Sequence, residues 1–462
     1  MNDGCKLAQL EVDGLHNQFD VNINFNSDLN IIYGKNGKGK TTILHLIANL
    51  LEFDFDRFSY IKFNKIRLTN FSGNSIEILR DKKEDDYKVI FDGHIVFNKK
   101  TGWIGGDDSS MRGCFGGRAV YLPAFRSILE RTRLESDHYY RVNASRESDY
   151  SEIYEKELKN SKDVYGDVGI FDAKEEAALI AEKTKLCRQW FGNFVPVIRY
   201  PSIYDVGSSL TDEWRRAKIK VSNQEKQMFE STFYTIFEYL LRDSSARKKG
   251  GVTADKIENR DVDVAIRKIL KNKDREIKLN MFHERHNSTN KEYESNIKSY
   301  LLGLYEGALS SRDEQRKEAF QSISDFEDSI NKFLDGKKIK IGVDDVAKMR
   351  SKSVLEVIAD SGHSYNLSAL SSGERQILTM IFSARKNRKS SGIFLIDEPE
   401  LSLHIDWQRI ILQEIRNQSP DRQIIVCTHS PEVGADNFIS TQDFDPKIAK
   451  YEQESIFDAG DF

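Results

Sequence analysis

The pattern of apolar and polar positions changes twice along the chain. Up to about Val120 short alternating runs dominate: "KLAQLEV", "VNINF", "LNIIY", then "SIEILRDKKEDDYKVIFDG", two alternating stretches split by a charged turn. Alternation at a period of two predicts half-buried strands. One segment in this zone, "KTTILHLIANLLEF", predicts a helix. From about Ser127 to Leu334 long charged segments carry apolar residues at helical spacing, among them "AKEEAALIAEKTKLCRQWF", "QEKQMFESTFYTIFEYLL" and "SNIKSYLLGLYEGALSS". Strand-like runs return as "KKIKIGV" and "SVLEVIAD". Nearer the end, "SGIFLIDEPE" and "QIIVCTHS" read as buried parallel strands that finish in polar residues.

The expected organisation is an α/β core divided in sequence. Residues 1–126 form its N-terminal half and residues 336–462 its C-terminal half. Residues 127–335 form a helical insertion, read as a partner or oligomerisation arm. The insertion lacks sustained heptads, which predicts a compact or short antiparallel arm rather than a long two-stranded coiled coil. No repeat of fixed period and no low-complexity tract interrupts this plan.

Composition narrows the function classes. At 462 residues the chain has room for two or three domains and a sizeable core. A net charge of −4 gives no global attraction to nucleic acid, although "SARKKGG" (Arg247–Lys249) and "SARKNRKSSG" (Arg385–Lys389) are local basic clusters. The N-terminus lacks a basic region followed by an apolar one, so no signal peptide is expected. No apolar run approaches the roughly 18 residues of a membrane span. Four cysteines without a CxxC pair fit a reducing cytoplasm.

The chemistry is concentrated at four places. Gly34 to Thr41, "GKNGKGKT", matches GxxxxGK(S/T) between a strand and a helix. Its backbone N–H groups, around Asn36, Gly37 and Gly39 and on to Thr42, are expected to wrap phosphates at the positive end of the helix dipole. Lys40 is expected to reach the β- and γ-phosphates, and the Thr41 hydroxyl to ligate Mg²⁺. Asp397, at the tip of an apolar strand, is expected to support Mg²⁺, and Glu398 beside it to polarise the attacking water. His429 ends another apolar strand one helix later, where it would sense the γ-phosphate. Ser371, Ser372 and Gly373 open a helix whose free N–H groups form a second anion site. "HERH" (His283–His286) reads as a solvated helix face.

The order phosphate loop, long insertion, L-S-S-G-E, apolar-D-E, apolar-T-H resembles the ABC-type ATPase head over roughly residues 1–126 and 336–435. The resemblance implies a parallel core sheet with an antiparallel β lobe, ATP and Mg²⁺ as cofactors, and Glu398 as catalytic base with His429 as switch histidine. It also implies that Leu401–His404 is the D-loop, and that Ser371 and Gly373 act in trans on ATP sandwiched between protomers. No glutamine lies between Gln18 and Gln189, so the family's Q-loop residue is missing. In its place "YLPAFRS" resembles the P-A-x-R segment of the overcoming-lysogenization-defect-like branch, which gives Arg126 a structural or phosphate-sensing role. Many members of that branch carry a Toprim nuclease after the switch histidine, and the 33 residues following His429 would be too few for one.

A single head of this size resembles the ATPase subunits of anti-phage defence systems, PARIS above all, with Septu- and retron-associated ATPases as relatives. That resemblance implies a homo-oligomeric, cytoplasmic sensor and scaffold, away from membranes. It would restrain a separate effector, a Toprim-type nuclease, until a phage trigger protein is sensed. The alternative is a DNA-binding repair or recombination ATPase of the SMC-like type, with duplex DNA as its ligand.

Overall fold

The computed structural model describes residues 3–81, 86–106, 108–126, 153–155, 157, 170–247, 290–342, 354–386 and 392–448. His283 and His286, and most of both basic clusters, lie outside the described residues. The chain divides into two compact units. The first comprises Met1–Ser208, Phe326–Lys340 and Leu355–Phe462; the second comprises Ser209–Asp325 and Ile341–Val354.

The first unit is built on a five-stranded sheet whose strands run, in spatial order, 441–443, 29–33, 423–428, 393–397 and 120–122. Every pairing in it is parallel. The strands Leu29–Tyr33, Ile393–Asp397 and Gln423–Thr428 are almost wholly buried, as unbroken apolar runs require. The helix Lys40–Glu52 packs on this sheet and is apolar nearly all round, with Ile43, Leu44, Leu46, Ile47 and Leu50 inaccessible to solvent. Side chains of this kind contribute about 1.5–3 kcal/mol each when fully buried. Neighbouring strands therefore come from opposite ends of the sequence, with the insertion between them.

An eight-stranded antiparallel sheet makes the β lobe, and its order begins 447–448, 19–24, 7–15, 65–70, 75–81. The alternating runs of the N-terminal zone lie here, with Leu10, Val12, Ile66, Leu68, Ile76 and Ile78 turned inward. Gln423 joins this sheet to the core. Its Oε1 accepts from the Leu7 N–H at 2.7 Å, and its Nε2 donates to the Leu7 carbonyl at 2.8 Å. Parallel core and antiparallel lobe together make the ABC-type head that the motif order implied.

The insertion contributes helices Ile170–Phe191, Ile203–Arg247 and Asn290–Asn331, the last two 45 and 42 residues long. At 1.5 Å per residue each of these spans more than ~60 Å, longer than a short arm. Weak heptad character does not limit helix length here. Charged residues with good helix propensity fill the polar faces, and Trp214 packs against Phe320, ring centroids 6.4 Å apart, inside the second unit.

Candidate functional site

The loop after strand Leu29–Tyr33 turns back through Gly37 and Gly39, at φ 81° and 92°. Gly39 is the N-cap of the following helix and offers no side chain to cap it, so the helix opens with unsatisfied backbone N–H groups. Asn36 and Gly37 are exposed, Thr42 is half-buried, and Lys40 is buried against its own loop. The Lys40 ammonium donates to the carbonyls of Gly34 at 2.6 Å and Lys35 at 3.1 Å. The lysine is thus folded over the cavity of the loop it closes.

Thr41 reaches across to the core. Its hydroxyl, in the first turn of helix Lys40–Glu52, donates to Asp397 Oδ2 at 2.9 Å, although strand Gln423–Thr428 lies between strand Leu29–Tyr33 and the strand that ends in Asp397. Asp397 is buried, and its Oδ1 has no hydrogen-bond partner. Burial pushes its carboxyl up to about 7, against the pull of the Thr41 hydroxyl and the Arg126 charge. A hydroxyl and an unsatisfied carboxylate oxygen side by side are hard oxygen donors of the kind Mg²⁺ takes. Thr41 and Asp397 therefore fit the metal implied by the motif.

Glu398 follows in a left-handed conformation, φ 45°, and its N–H continues the sheet ladder to the Cys427 carbonyl at 2.8 Å. Its carboxylate Oε2 lies 3.1 Å from Nδ1 of His429. Glu400, absent from the residues singled out by sequence, proves central. Its buried Oε1 accepts from the Thr428 hydroxyl at 2.5 Å, His429 N at 2.9 Å and Ser430 N at 3.1 Å, and faces His429 Nδ1 at 3.1 Å. Two carboxylate oxygens at Nδ1 select the tautomer with its proton there. Glu398, Glu400 and His429 offer three ligand atoms within 4.8 Å of one another. Because Glu400 Oε1 already accepts several N–H and O–H groups, the arrangement is better described as a hydrogen-bond hub than as a metal cage. The one hint in the sequence was a second acid two residues after Glu398.

Arg126, fully buried, donates to the carbonyls of Pro123, Asp397, Glu398 and Pro399 at 2.9–3.1 Å. Its place in the fold is structural, beneath the acidic strand end.

Ser371 and Gly373 have no hydrogen bond to the phosphate loop among the described residues. Ser371 forms a reciprocal cap with Glu374: the Ser371 N–H donates to Glu374 Oε2 at 2.7 Å, and Glu374 N–H donates to the Ser371 hydroxyl at 3.3 Å. Gly373 lies against the D-loop segment, where a Cβ would stand 2.6 Å from the Ser402 carbonyl oxygen. A separate cavity of about 470 Å³ is lined by Glu11, Asp13, Asp20, Asp443 and Asp445. Its acidic lining is the wrong sign for a polyphosphate.

Residues 6–433 match the family described as AAA ATPase domain. The chain belongs to that family. A 102-residue stretch of this AAA ATPase domain protein is 30% identical to "Retron Vc95 probable ATPase" of Vibrio cholerae serotype O1 biovar El Tor, covering 20% of each chain. A 126-residue stretch is 32% identical to "Retron Ec83 probable ATPase" of Escherichia coli, covering 24% of this chain and 22% of the relative. These matches thus span about a fifth of the length of those relatives. Among solved structures, the Smc head domain of Pyrococcus furiosus with an extended coiled coil, bound to the C-terminal domain of ScpA, is similar at 14% identity and a TM-score of 0.38. That comparison covers 93% of this chain and 91% of the other. The Smc head domain of Pyrococcus yayanosii gives 16% identity and a TM-score of 0.39, with 93% of each chain covered. These two likenesses are too slight to bear on function. No helix among the described residues is long and apolar enough to cross a membrane.

Proposed function

We propose that this AAA ATPase domain protein binds and hydrolyses ATP between two copies of itself, as a cytoplasmic sensor and scaffold that restrains a separate effector in anti-phage defence. The observation that carries the enzymatic half is the 2.9 Å contact from Thr41 to Asp397, with Glu398 and His429 joined beside it. The similarity to two retron ATPases supports the defence half. A Toprim-type nuclease is the effector we propose, released by a phage protein, in the manner of PARIS systems.

In this reading the N–H groups of the loop from Asn36 to Thr42 hold the phosphates, and Lys40 exchanges its carbonyl partners for phosphate oxygens. Thr41 and Asp397 would hold Mg²⁺, which when bound offsets the negative charge of the phosphates. Glu398 accepts the proton of the attacking water, a contribution of about 10²–10⁴ in rate. His429, its Nδ1 facing the carboxylates of Glu398 and Glu400 at 3.1 Å, presents its other nitrogen to the γ-phosphate. Ser371 and Gly373, at the start of the helix Ser372–Lys386 where Ser371 and Ser372 are exposed, would act in trans on ATP of the partner copy, Ser371 exchanging its cap with Glu374 for a phosphate oxygen.

The test combines chemistry with capture. Purified Glu398→Gln protein should retain ATP and shift to a dimer or higher oligomer in size-exclusion chromatography with light scattering. The tagged chain, expressed from its own gene neighbourhood, should bring down a stoichiometric nuclease identified by mass spectrometry. Full hydrolysis by the Glu398→Gln protein would contradict the enzymatic half. Copurifying nucleic acid without a protein partner would favour DNA repair instead.

A further inference from the structure

The guanidinium of Arg126 is inaccessible to solvent and donates to the main-chain carbonyls of three consecutive residues, Asp397, Glu398 and Pro399. Those carbonyls converge on one point because Glu398 adopts φ 45°, a left-handed conformation that side-chain-bearing residues avoid. In an extended strand successive carbonyls point to opposite sides and could not share one donor group. The arginine therefore stabilises the strained turn that carries the acid beside Thr41 and the acid beside His429. A fourth bond, to Pro123 at 3.1 Å, anchors the same guanidinium to its own loop.

A surface or phosphate-contacting arginine would have an exposed head. This one turns both terminal nitrogens to backbone carbonyls, which offset the cost of burying a cation. An arginine placed only for packing would have no reason to take its acceptors from the two acidic residues of the site. Only a planar fork with several N–H donors can reach these carbonyls together; an ammonium on a flexible stem acts as a single point.

We propose that Arg126 is a positioning residue for hydrolysis: its fork on the 397–399 carbonyls holds Glu398 in the left-handed turn that aims its carboxylate at His429. The inference rests on the reading of Glu398 as base. Its effect falls on turnover, because its acceptors at 397–399 form the turn that carries the acids rather than the loop that grips phosphate.

The experiment uses the full chain as wild type, Arg126→Lys, Arg126→Ala and Glu398→Gln. It measures kcat and KM for ATP, affinity for a fluorescent ADP analogue, and melting temperature. Arg126→Lys is expected to bind the analogue within about threefold of wild type and to keep KM in the same range, while kcat falls ~30-fold or more, as for a misplaced catalytic group. Arg126→Ala should regain part of its kcat when guanidinium chloride is added at about 10 mM, because the planar fork is what is missing. An Arg126→Lys protein with kcat within about threefold of wild type, alongside an inactive Glu398→Gln, overturns the positioning role alone. So does an Arg126→Lys protein that fails to fold, or one whose nucleotide affinity drops in proportion to kcat. Glu398→Gln turning over at the wild-type rate overturns the base assignment and the proposal with it.

Discussion

His429 Nδ1 lies 3.1 Å from Oε2 of Glu398, so the residue read as base and the residue read as switch stand at ion-pair distance within one chain. The same nitrogen faces Glu400 Oε1 at the same distance. Two carboxylates facing one nitrogen are coupled through it, because a change of charge on either alters the field at the imidazole and at the other acid. Replacing Glu398 with Gln should abolish most hydrolysis, by about 10²-fold or more, while leaving ATP binding intact. A filter-binding assay beside a phosphate-release assay reads both.

Glu400→Gln should act differently. The amide keeps one oxygen for the N–H groups of His429 and Ser430 but loses the charge that strengthens those bonds. We expect a loss of about 1–3 kcal/mol in unfolding free energy, with a smaller fall in turnover than for Glu398→Gln. Denaturant titration with the same release assay checks it, and an unchanged midpoint would remove Glu400 from its structural role.

Gly373→Ala places a methyl group 2.6 Å from the Ser402 carbonyl oxygen, a main-chain atom that cannot swing aside. The segment Leu401–His404 must shift. Overpacking of this kind costs about 1–3 kcal/mol. Turnover should fall while affinity for ADP stays near wild type, as measured by calorimetric titration.

His45, in the phosphate-loop helix, is buried with Nε2 2.9 Å from the Tyr121 hydroxyl, and burial pushes it down to about 3. The folded protein keeps this ring neutral while the unfolded chain protonates it near the ordinary imidazole value of 6.5. Stability from this group is therefore present above pH ~6.5 and lost progressively as pH falls toward ~3. Between pH 7.5 and 5.5 wild type should lose about 1.3 kcal/mol more than His45→Gln. Paired urea titrations at the two pH values decide it; parallel losses would contradict it.

At the other end of that helix Glu52, buried, holds both arms of Arg199 at 2.6 and 2.8 Å. Burial alone would raise this carboxyl, yet the guanidinium keeps it down at about 2. Glu52→Gln leaves half-buried Arg199 to Glu157, which accepts from it at 2.7 Å, and should cost about 1–3 kcal/mol, seen as a lower denaturation midpoint.

Much of this arrangement was legible from residues alone. An apolar run followed by a glycine-rich turn announces the loop at Gly34–Thr41, and the two late apolar runs announce the next two strands of the same sheet, 423–428 and 393–397. The split core follows, because strands so far apart share one composition. Less was legible where the role depends on backbone geometry. Arg126 and Glu400 are ordinary letters in the sequence; what distinguishes them is that three carbonyls, or two N–H groups and a hydroxyl, are turned toward them by the fold. The capping pair Ser371–Glu374 was readable from its spacing, whereas the need for glycine at 373 comes from a carbonyl 29 positions further on (402 − 373). Helix length in the insertion was underestimated because heptads report how helices pair, not how far they extend.

The order of the parallel sheet also bears on how the chain is made. The strand leading into the phosphate loop is translated hundreds of residues before its two neighbours, 423–428 and 441–443. At synthesis rates of 5–20 residues per second, the loop waits for tens of seconds with both edges of its strand unpaired. During that interval the helix Lys40–Glu52 has no complete sheet to pack on, and Thr41 has no Asp397 to bond. The site is thus complete only once residues 393–443 have been made. A chain cut short inside the insertion lacks Asp397 and both neighbours of the loop's own strand.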